Sequence, residues 1–285
     1  MGKKLKEKLK NLLKEKIPNE LLEFLPSHYF IVGDILIFHL DQKLEKYEKE
    51  IGEAFLKLFP YVKVVVRKIG PFKGITKEPS IKVVAGENRT ETIHKENKVL
   101  FKLDVSKIEF AKGNVVERKR LIKLVGKNEV IVDMFAGIGY FSLPIAVYVK
   151  PKKIYAIDIN PIAIHYLKEN IRLNKVSEIV VPILGDCREI SEKLKGISDR
   201  VIMGYIPFTR EFLPYALKFL KEKGIIHFHD TFHEREIWDF AENLVKEKIE
   251  ENGYKLEKIL EKRIVKQYAP RIWHVAMDLK VKKKI

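Results

Sequence analysis

The segment from Val130 to Gly139 (VIVDMFAGIG) joins an apolar run, an aspartate and a turn that contains two glycines. The run predicts a buried strand ending near Asp133, and the apolar residues after the turn predict a helix over 138–149. Glycines let the backbone approach a ligand closely, and a helix N-terminus offers unpaired N–H groups. This order of elements predicts a ligand site at the carboxyl edge of a parallel sheet.

The same alternation of strands and helices continues along the chain. The predicted strands are 130–135, 153–159, 179–185, 200–206 and 224–232, and helices are predicted at 138–149, 161–173 and 210–221. Two further runs, 254–268 and 271–281, predict an antiparallel hairpin at the end of the sheet. Apolar strands that alternate with helices are typical of an α/β fold whose parallel sheet is covered on both faces.

Residues 1–110 have a different pattern, which predicts a smaller and mostly antiparallel α+β domain. A basic helix is predicted over 3–16, a strand over 29–40 and a helix over 43–59, followed by strands at 62–69, 81–85, 91–94 and 99–104. The sequence therefore predicts two domains, residues 1–110 and residues 111–285. A chain of 285 residues is long enough for both.

The charge balance indicates a polyanionic partner. The chain has 55 Lys and Arg against 39 Asp and Glu, a formal net charge of +16. A field of this sign favours binding to nucleic acid phosphates. The alternative is a protein from a very hot environment. Such proteins are rich in Lys and Glu whether or not they bind a polyanion.

Cysteine content and hydropathy exclude other classes. The single cysteine, Cys187, excludes an internal disulfide and a zinc site built from cysteines. No run of roughly 18 apolar residues is long enough to span a bilayer, and the basic N-terminus lacks the apolar core of a secretion signal. We expect a cytoplasmic protein that does not enter a membrane.

Two classes of ligand compete for the glycine turn. A dinucleotide-binding turn has the pattern G-x-G-x-x-G, but Ser142 stands at the third glycine position. A pyrophosphate would gain nothing from the negative charge of Asp133, whereas an ammonium or sulfonium group would. The turn therefore favours S-adenosylmethionine over a nicotinamide dinucleotide.

Two more acids stand at the ends of the next two predicted strands. Asp158 is expected to accept hydrogen bonds from the ribose hydroxyls. Asp186 is expected to accept from the adenine amine, while Cys187 packs beside the ring. Either acid could instead cap a helix N-terminus. Three acids at three successive strand ends favour the common ligand-binding role.

Residues 111–285 resemble the class I S-adenosylmethionine-dependent (Rossmann-like) transferases, in which a terminal antiparallel hairpin closes the sheet. Residues 60–285 more specifically resemble the archaeal and eukaryotic tRNA-modifying family that contains the tRNA (guanine-N1)-methyltransferases and a wybutosine-synthesising branch. The shared segments, in family order, are ETIHKEN (91–97), FKLDV (101–105), FAKGN (110–114), ERKR (117–120), DMFAGIG (133–139) and YAPRIWH (268–274).

The end of the fourth strand of the second domain separates the branches. The N1-methyltransferases carry Asn-Leu-Pro there, whereas the wybutosine-synthesising branch carries Gly-x-Ile-Pro, as in Gly204-Tyr-Ile-Pro207. The pair Gly113-Asn114 favours the same branch. The resemblance implies transfer of the 3-amino-3-carboxypropyl group of S-adenosylmethionine to a tricyclic guanosine derivative beside the anticodon of phenylalanine tRNA, with release of 5′-methylthioadenosine. Methyl transfer to guanine N1 is the alternative.

The resemblance also implies which residues bind each substrate. Arg118 is expected to grip the carboxylate of the donor, because a guanidinium binds a carboxylate through two hydrogen bonds; the opposing interpretation is a surface cation on a basic helix. By its own chemistry, Tyr205 either stacks on the purine or belongs to the apolar core. The expected cofactor-binding residues are Ala111 (through its backbone), Arg118, Asp133, Phe135, Ala136, Gly137, Gly139, Asp158, Ile159, Asp186 and Cys187. The expected substrate-binding residues are Gly204, Tyr205 and Pro207.

Several features remain open at this level. His229 and His233 have the i, i+4 spacing of metal ligands, but no third ligand is evident and we expect no metal. His94 either contacts RNA or braces the small domain. No side chain stands out as a general base. An oxidoreductase and a non-catalytic RNA-binding module remain alternatives from other classes, and we expect a monomer.

Overall fold

The computed structural model of the chain describes residues 2–71, 74, 78–110 and 112–284. The fold divides into two compact units, Met1–Phe110 and Ala111–Ile285. Within the described ranges, no helix is long and apolar enough to cross a membrane.

The described residues of the first unit form two α-helices and six strands. In chain order these are α1 (Gly2–Leu13), β1 (Tyr29–Val32), β2 (Ile35–His39), α2 (Glu48–Leu58), β3 (Val64–Lys68), β4 (Ile81–Gly86), β5 (Glu91–Glu96) and β6 (Val99–Asp104). Short 3₁₀ helices lie at Asn19–Phe24 and Gln42–Tyr47. Helix α1 buries Leu5, Leu9 and Leu13, which share one face because they are four residues apart.

The four strands β1–β4 form one sheet in that order, and β5 pairs with β6 in a separate hairpin. Strands β2 and β3 are parallel, and the other pairs are antiparallel. The predicted strand over 29–40 is in fact two strands, because the chain reverses at Gly33-Asp34 and β1 pairs with β2. His94 accepts a hydrogen bond from the Gly33 N–H (3.1 Å), so it braces this turn.

In the second unit, residues 112–284 form six α-helices and seven strands. They are α3 (Val115–Leu124), β7 (Val130–Asp133), α4 (Ser142–Tyr148), β8 (Lys153–Asp158), α5 (Pro161–Leu173), β9 (Val180–Leu184), α6 (Cys187–Lys193), β10 (Ser198–Met203), α7 (Leu213–Phe219), β11 (Leu220–His233), α8 (Asp239–Glu251), β12 (Tyr254–Ala269) and β13 (Ile272–Lys283). Short 3₁₀ helices lie at Lys112–Asn114 and Thr209–Phe212.

These seven strands form one sheet in the order β12-β13-β11-β10-β7-β8-β9. The five strands β7–β11 are parallel, whereas β13 runs antiparallel to β11 and to β12. The predicted α/β fold with a parallel sheet and a closing antiparallel hairpin is therefore confirmed. Strand order reverses between β7 and β10, so the carboxyl ends of these two strands flank the crevice where such sheets bind ligands.

Candidate active site

The turn after β7 is fixed against the neighbouring strand β8. The Ala136 N–H donates to the carbonyl of Ile157 (2.8 Å), and the Gly137 N–H donates to Oδ2 of Asp158 (2.7 Å). Gly139 has a φ of +100°, and a Cβ there would lie 2.5 Å from Cγ of Leu143. Only glycine fits this position, because the conformation and the contact both exclude a side chain.

Asp133 lies at the floor of this turn with its side chain fully buried. Its Oδ2 accepts a hydrogen bond from the Ser142 hydroxyl (2.7 Å), while its Oδ1 is buried without a hydrogen-bond partner. Burial raises the pKa of Asp133 to about 7. A buried carboxylate with one free oxygen suits a cationic ligand group, since an unpaired buried acceptor is costly.

Ser142 has a role that sequence reasoning missed: its hydroxyl holds the carboxylate of Asp133. The serine that breaks the dinucleotide pattern is buried and hydrogen-bonded to Asp133. A hydroxyl donor nine residues after an aspartate in a strand–turn–helix segment was the available signal. It shows that this turn is organised around a carboxylate and not around a phosphate.

The other two acids take different roles in the structure. Asp158 is half-buried and accepts from the N–H groups of Gly137 (2.7 Å) and Asn160 (2.9 Å), and burial raises its pKa. Asp186 caps the N-terminus of α6 by accepting from the Arg188 N–H (2.8 Å). The Arg188 side chain, which hydrogen-bonds to the same carboxylate, lowers the pKa of Asp186.

The neighbours of these acids differ in exposure. Cys187 is buried, and burial raises the pKa of its thiol to about 12, so it is a packing group and not a thiolate nucleophile. Ile159 is 57% exposed at the end of β8. It directly follows Asp158, the last residue of β8.

The segment after β10 faces the glycine turn. The ring of Tyr205 stacks on Phe135 at a centroid distance of 5.1 Å, and Phe212 meets the edge of Phe135 at 5.0 Å. The peptide bond between Ile206 and Pro207 is cis. Phe135 and Tyr205 therefore form one half-buried aromatic surface between the two strand ends.

Gly204 is in close contact with Phe141, a buried residue just before α4. A Cβ at position 204 would lie 2.8 Å from Cε2 of Phe141. The ring thus occupies the space that a side chain at this position would need. Sequence reasoning noted the glycine but not the ring that excludes a larger residue.

Arg118 is only 2% exposed, so it is not the surface cation of the opposing interpretation. The preceding Glu117 is fully buried and forms ion pairs with Arg120 (3.1 Å) and with Arg263. Helix α3 therefore places charged side chains inside the unit, close to β12. Ala111 lies outside the described residues.

Two histidines of β11, His227 and His229, are buried among polar side chains. Nδ1 of His227 lies 2.6 Å from Oδ1 of Asp278, and Nε2 of His227 lies 2.7 Å from Nη1 of Arg200. Burial lowers the pKa of His227, so the neutral ring donates to Asp278 and accepts from Arg200. His229 lies 3.0 Å from His274.

His229 and His233 are too far apart to bind one metal ion together. Both residues lie on the strand β11, where positions four apart are roughly 13 Å from each other. Across the parts of the chain that the structure describes, no group of three His, Cys, Asp or Glu side chains is arranged to hold a metal ion.

Comparison with known proteins identifies the family. Residues 92–257 match the TRM5/TYW2 methyltransferase domain, and residues 9–90 match the TYW2 N-terminal domain. The family domain thus begins within the β5–β6 hairpin, which groups with the first unit in the structure.

Three similar proteins cover most of the chain. The tRNA(Phe) (4-demethylwyosine(37)-C(7)) aminocarboxypropyltransferase of Methanocaldococcus jannaschii is 46% identical, over 88% of this chain and 97% of that protein. The tRNA (guanine(37)-N(1))-methyltransferase Trm5b of Pyrococcus abyssi is 41% identical, over 90% of this chain and 76% of that protein. The structure of P. horikoshii TYW2 in complex with MeSAdo has a TM-score of 0.85 at 38% identity, covering 98% of this chain and 100% of that one.

The matched domains cover more than half of the chain, and the strand order, the glycine turn and the acids at its edge agree with a transferase of this class. The chain belongs to the TRM5/TYW2 family.

Proposed function

We propose that this protein transfers the 3-amino-3-carboxypropyl group of S-adenosylmethionine to C7 of 4-demethylwyosine at position 37 of phenylalanine tRNA. The observation that carries the proposal is its 46% identity to a protein named for this reaction, along 97% of that protein. The match of residues 9–90 to the TYW2 N-terminal domain supports the same branch.

The residues at the carboxyl edge fit this donor. S-adenosylmethionine carries a sulfonium and an ammonium group, and the buried Oδ1 of Asp133 is an acceptor without a partner. Asp158 stands at the end of the adjacent strand, where an acid accepts from ribose hydroxyls. Asp186 and the buried Cys187 begin α6, next to the expected position of the adenine.

The chain's own contribution to the reaction is positioning and charge. When bound, the donor supplies an electrophilic methylene: C7 of the base forms the new bond to it, the C–S electron pair leaves with sulfur in 5′-methylthioadenosine, and the C7 proton passes to solvent. Asp133 attracts the cationic end of the donor, and Arg118 pairs with its carboxylate. Holding the amino and carboxyl groups fixes the direction of the methionine arm, which selects the methylene over the methyl group.

The acceptor base is held by the aromatic surface of Phe135 and Tyr205. A base released from its stack in RNA gains affinity by stacking on aromatic side chains. Gly204 and Pro207 flank Tyr205 in the same segment, where they contact the base beside the aromatic surface.

The by-product tests the proposal. The protein is incubated with S-adenosylmethionine and with phenylalanine tRNA that carries 4-demethylwyosine, and the nucleoside products are separated by mass. We expect 5′-methylthioadenosine and a tRNA nucleoside heavier by the aminocarboxypropyl group. S-adenosylhomocysteine as the by-product would contradict this function.

The second candidate is methyl transfer to N1 of guanosine 37, favoured by the 41% identity to Trm5b. The same assay with tRNA carrying unmodified guanosine 37 separates the two. Methylation of this tRNA with release of S-adenosylhomocysteine would favour the methyltransferase.

We also propose that the protein acts as a monomer on the anticodon loop, in the cytoplasm. The net charge of +16 supports binding to the tRNA backbone. A monomer would elute at a mass of 33.3 kDa, and protection of the anticodon loop from nuclease would locate the contact.

A further inference from the structure

The segment that borders the acceptor side, residues 204–210, is tied to the end of β11 by one buried carboxylate. Asp230 has a side chain with no exposed surface. Its Oδ1 accepts from the Phe208 N–H (2.9 Å), and its Oδ2 accepts from the Arg210 N–H (3.0 Å). Two backbone groups on the segment thus share a single anchor on the next strand.

The side chain of Arg210 completes this anchor. Its Nε donates to Oδ2 of Asp230 (2.7 Å), and its Nη2 donates to the carbonyl of Thr231 (2.5 Å). The guanidinium also lies over the ring of Phe232, 4.2 Å from its centroid. Hydrogen bonds between ionised groups are stronger than hydrogen bonds between neutral groups. A buried carboxylate whose oxygens all accept hydrogen bonds holds its partners rigidly.

The anchor holds a conformation that the chain alone disfavours. Phe208 has a φ of +69°, which is uncommon for a residue with a side chain and costs of order 1 kcal/mol or more. The segment is then fixed at both ends: Asp230 holds Phe208, and Gly204 packs against Phe141. Between them, Tyr205 stacks on Phe135 at the glycine turn.

We propose that Asp230 is a positioning residue for the acceptor base. It fixes the backbone of residues 204–210, so that the base on Tyr205 meets the reacting carbon of the donor. This rests on the proposed function for the identity of the base. A displacement of about 1 Å in a reacting group can cost on the order of a hundredfold in rate, which is why a rigid anchor matters here.

The test compares Asp230→Asn, Asp230→Ala and Arg210→Gln with the wild type. Turnover is measured as tRNA-dependent consumption of S-adenosylmethionine, and the folded fraction is measured as the stoichiometry of donor binding by calorimetry. We expect kcat per donor-binding site to fall at least tenfold in Asp230→Asn and further in Asp230→Ala. Arg210→Gln should lose less, because both backbone hydrogen bonds remain. The Kd for the donor should change less than threefold throughout.

Asp199→Asn is the matched control. Asp199 also accepts a backbone N–H, from Val130 (2.8 Å), and pairs with Lys221 (2.6 Å), but it lies at the amino edge of the sheet. This variant should be less stable and keep its kcat per binding site.

Two results would overturn the proposal: a kcat per binding site within twofold of wild type in Asp230→Asn, or an equal loss in Asp199→Asn. Failure of the proposed function would be seen separately. A wild-type protein that releases S-adenosylhomocysteine contradicts the aminocarboxypropyl transfer, while its turnover still reports whether Asp230 positions the acceptor.

Discussion

At the scale of single residues, the chemistry depends on how the fold treats each acid. Asp133, Asp158 and Asp186 look equivalent in the sequence, since each stands at or just past a strand end. In the structure one is buried with a free oxygen, one binds two backbone N–H groups and one caps a helix. Only Asp133 is left with an unsatisfied acceptor that a cation would complete.

The raised pKa of Asp133 predicts a pH-dependent donor affinity. The carboxyl group ionises near its pKa of about 7, so protonation below that pH removes the negative charge that attracts the donor. We expect the affinity for S-adenosylmethionine to be about tenfold weaker at pH 6 than at pH 8. Calorimetric titration across this range measures it.

Asp133→Asn is the control for this prediction. It should bind the donor more weakly than wild type at pH 8 and show no slope, whereas a slope equal to that of wild type would assign the titration to another group. The buried histidine His274 titrates lower, because burial lowers its pKa to about 4.

In the free protein, the raised pKa of Asp133 stabilises the fold below about pH 4, and this contribution is lost as the pH rises through 7.

Ser142→Ala should weaken donor binding at neutral pH. Without the hydroxyl donor the ionised form of Asp133 loses a stabilising hydrogen bond, which raises the pKa of the carboxyl group further. A hydrogen bond to a charged group contributes about 1.5–3 kcal/mol, so we expect roughly a tenfold loss of affinity at pH 7. Ser198→Ala, which removes a buried hydroxyl bonded to the Phe219 carbonyl, should leave donor affinity unchanged. Equal losses in both variants would contradict the role of Ser142.

At the scale of elements, the site depends on contacts that cross between strands and helices. The periodicity of the sequence predicts β7–β11 and the closing hairpin, because apolar runs and their spacing are local properties. It does not predict the burial of Glu117 and Arg118 on α3, a helix whose charged residues favour an exposed surface. Arg120 and Arg263 compensate the buried charge of Glu117 inside the unit.

Gly204→Ala tests the contact between β10 and α4. The added Cβ would meet Phe141 at 2.8 Å, and overpacking of this kind costs about 1–3 kcal/mol. We expect a lower free energy of unfolding in urea and a loss of transfer activity. The double variant with Phe141→Leu should recover part of both, because the smaller side chain releases the clash. No coupling between the two substitutions would contradict this contact.

Asp278→Asn tests the network between α3, β11 and β13. Burial alone would raise the pKa of Asp278, but hydrogen bonds from His227 and Arg120 lower it below its usual value. Asp278 therefore stabilises the fold above its unfolded pKa of about 4, and this contribution is lost as the pH falls through the lower folded pKa. We expect Asp278→Asn to cost about 3–5 kcal/mol at pH 7 and clearly less at pH 3.

Urea denaturation at the two pH values measures this difference. Glu192→Gln removes an exposed partner of Lys218 and should change the unfolding midpoint very little at either pH. A destabilisation of Asp278→Asn that is the same at both pH values would show that the charge of Asp278 does not hold these elements together.

At the scale of the whole molecule, the net charge of the chain is positive, whereas the side chains at the proposed cofactor site are negative. The chain carries a net charge of +16, yet Asp133, Asp158 and Asp186 stand at or just past the carboxyl ends of β7, β8 and β9. This arrangement suits an enzyme that binds a polyanion over its surface and a cation in its crevice.

The two substrates should therefore respond differently to salt. We expect the affinity for tRNA to fall steeply between 50 and 200 mM salt, on the order of a thousandfold for six phosphate contacts, and the affinity for S-adenosylmethionine to change little. Filter binding for tRNA and calorimetry for the donor give the two slopes. Equal slopes would indicate that the charge is a property of the surface unrelated to tRNA.

The sequence by itself determined the α/β fold, the edge of the sheet where the site lies and the family. Strand periodicity, the glycine turn and the order of motifs are carried by neighbouring residues, and the topology of a parallel sheet brings its carboxyl ends together. The tertiary structure decided which acid stays unpaired, that the Tyr205 ring lies on Phe135, and that Asp230 accepts hydrogen bonds from the backbone of Phe208 and Arg210. The last two depend on contacts between residues far apart in the chain, such as Phe135 and Tyr205, 70 positions from each other. Packing alone selects such contacts, and no local pattern encodes them.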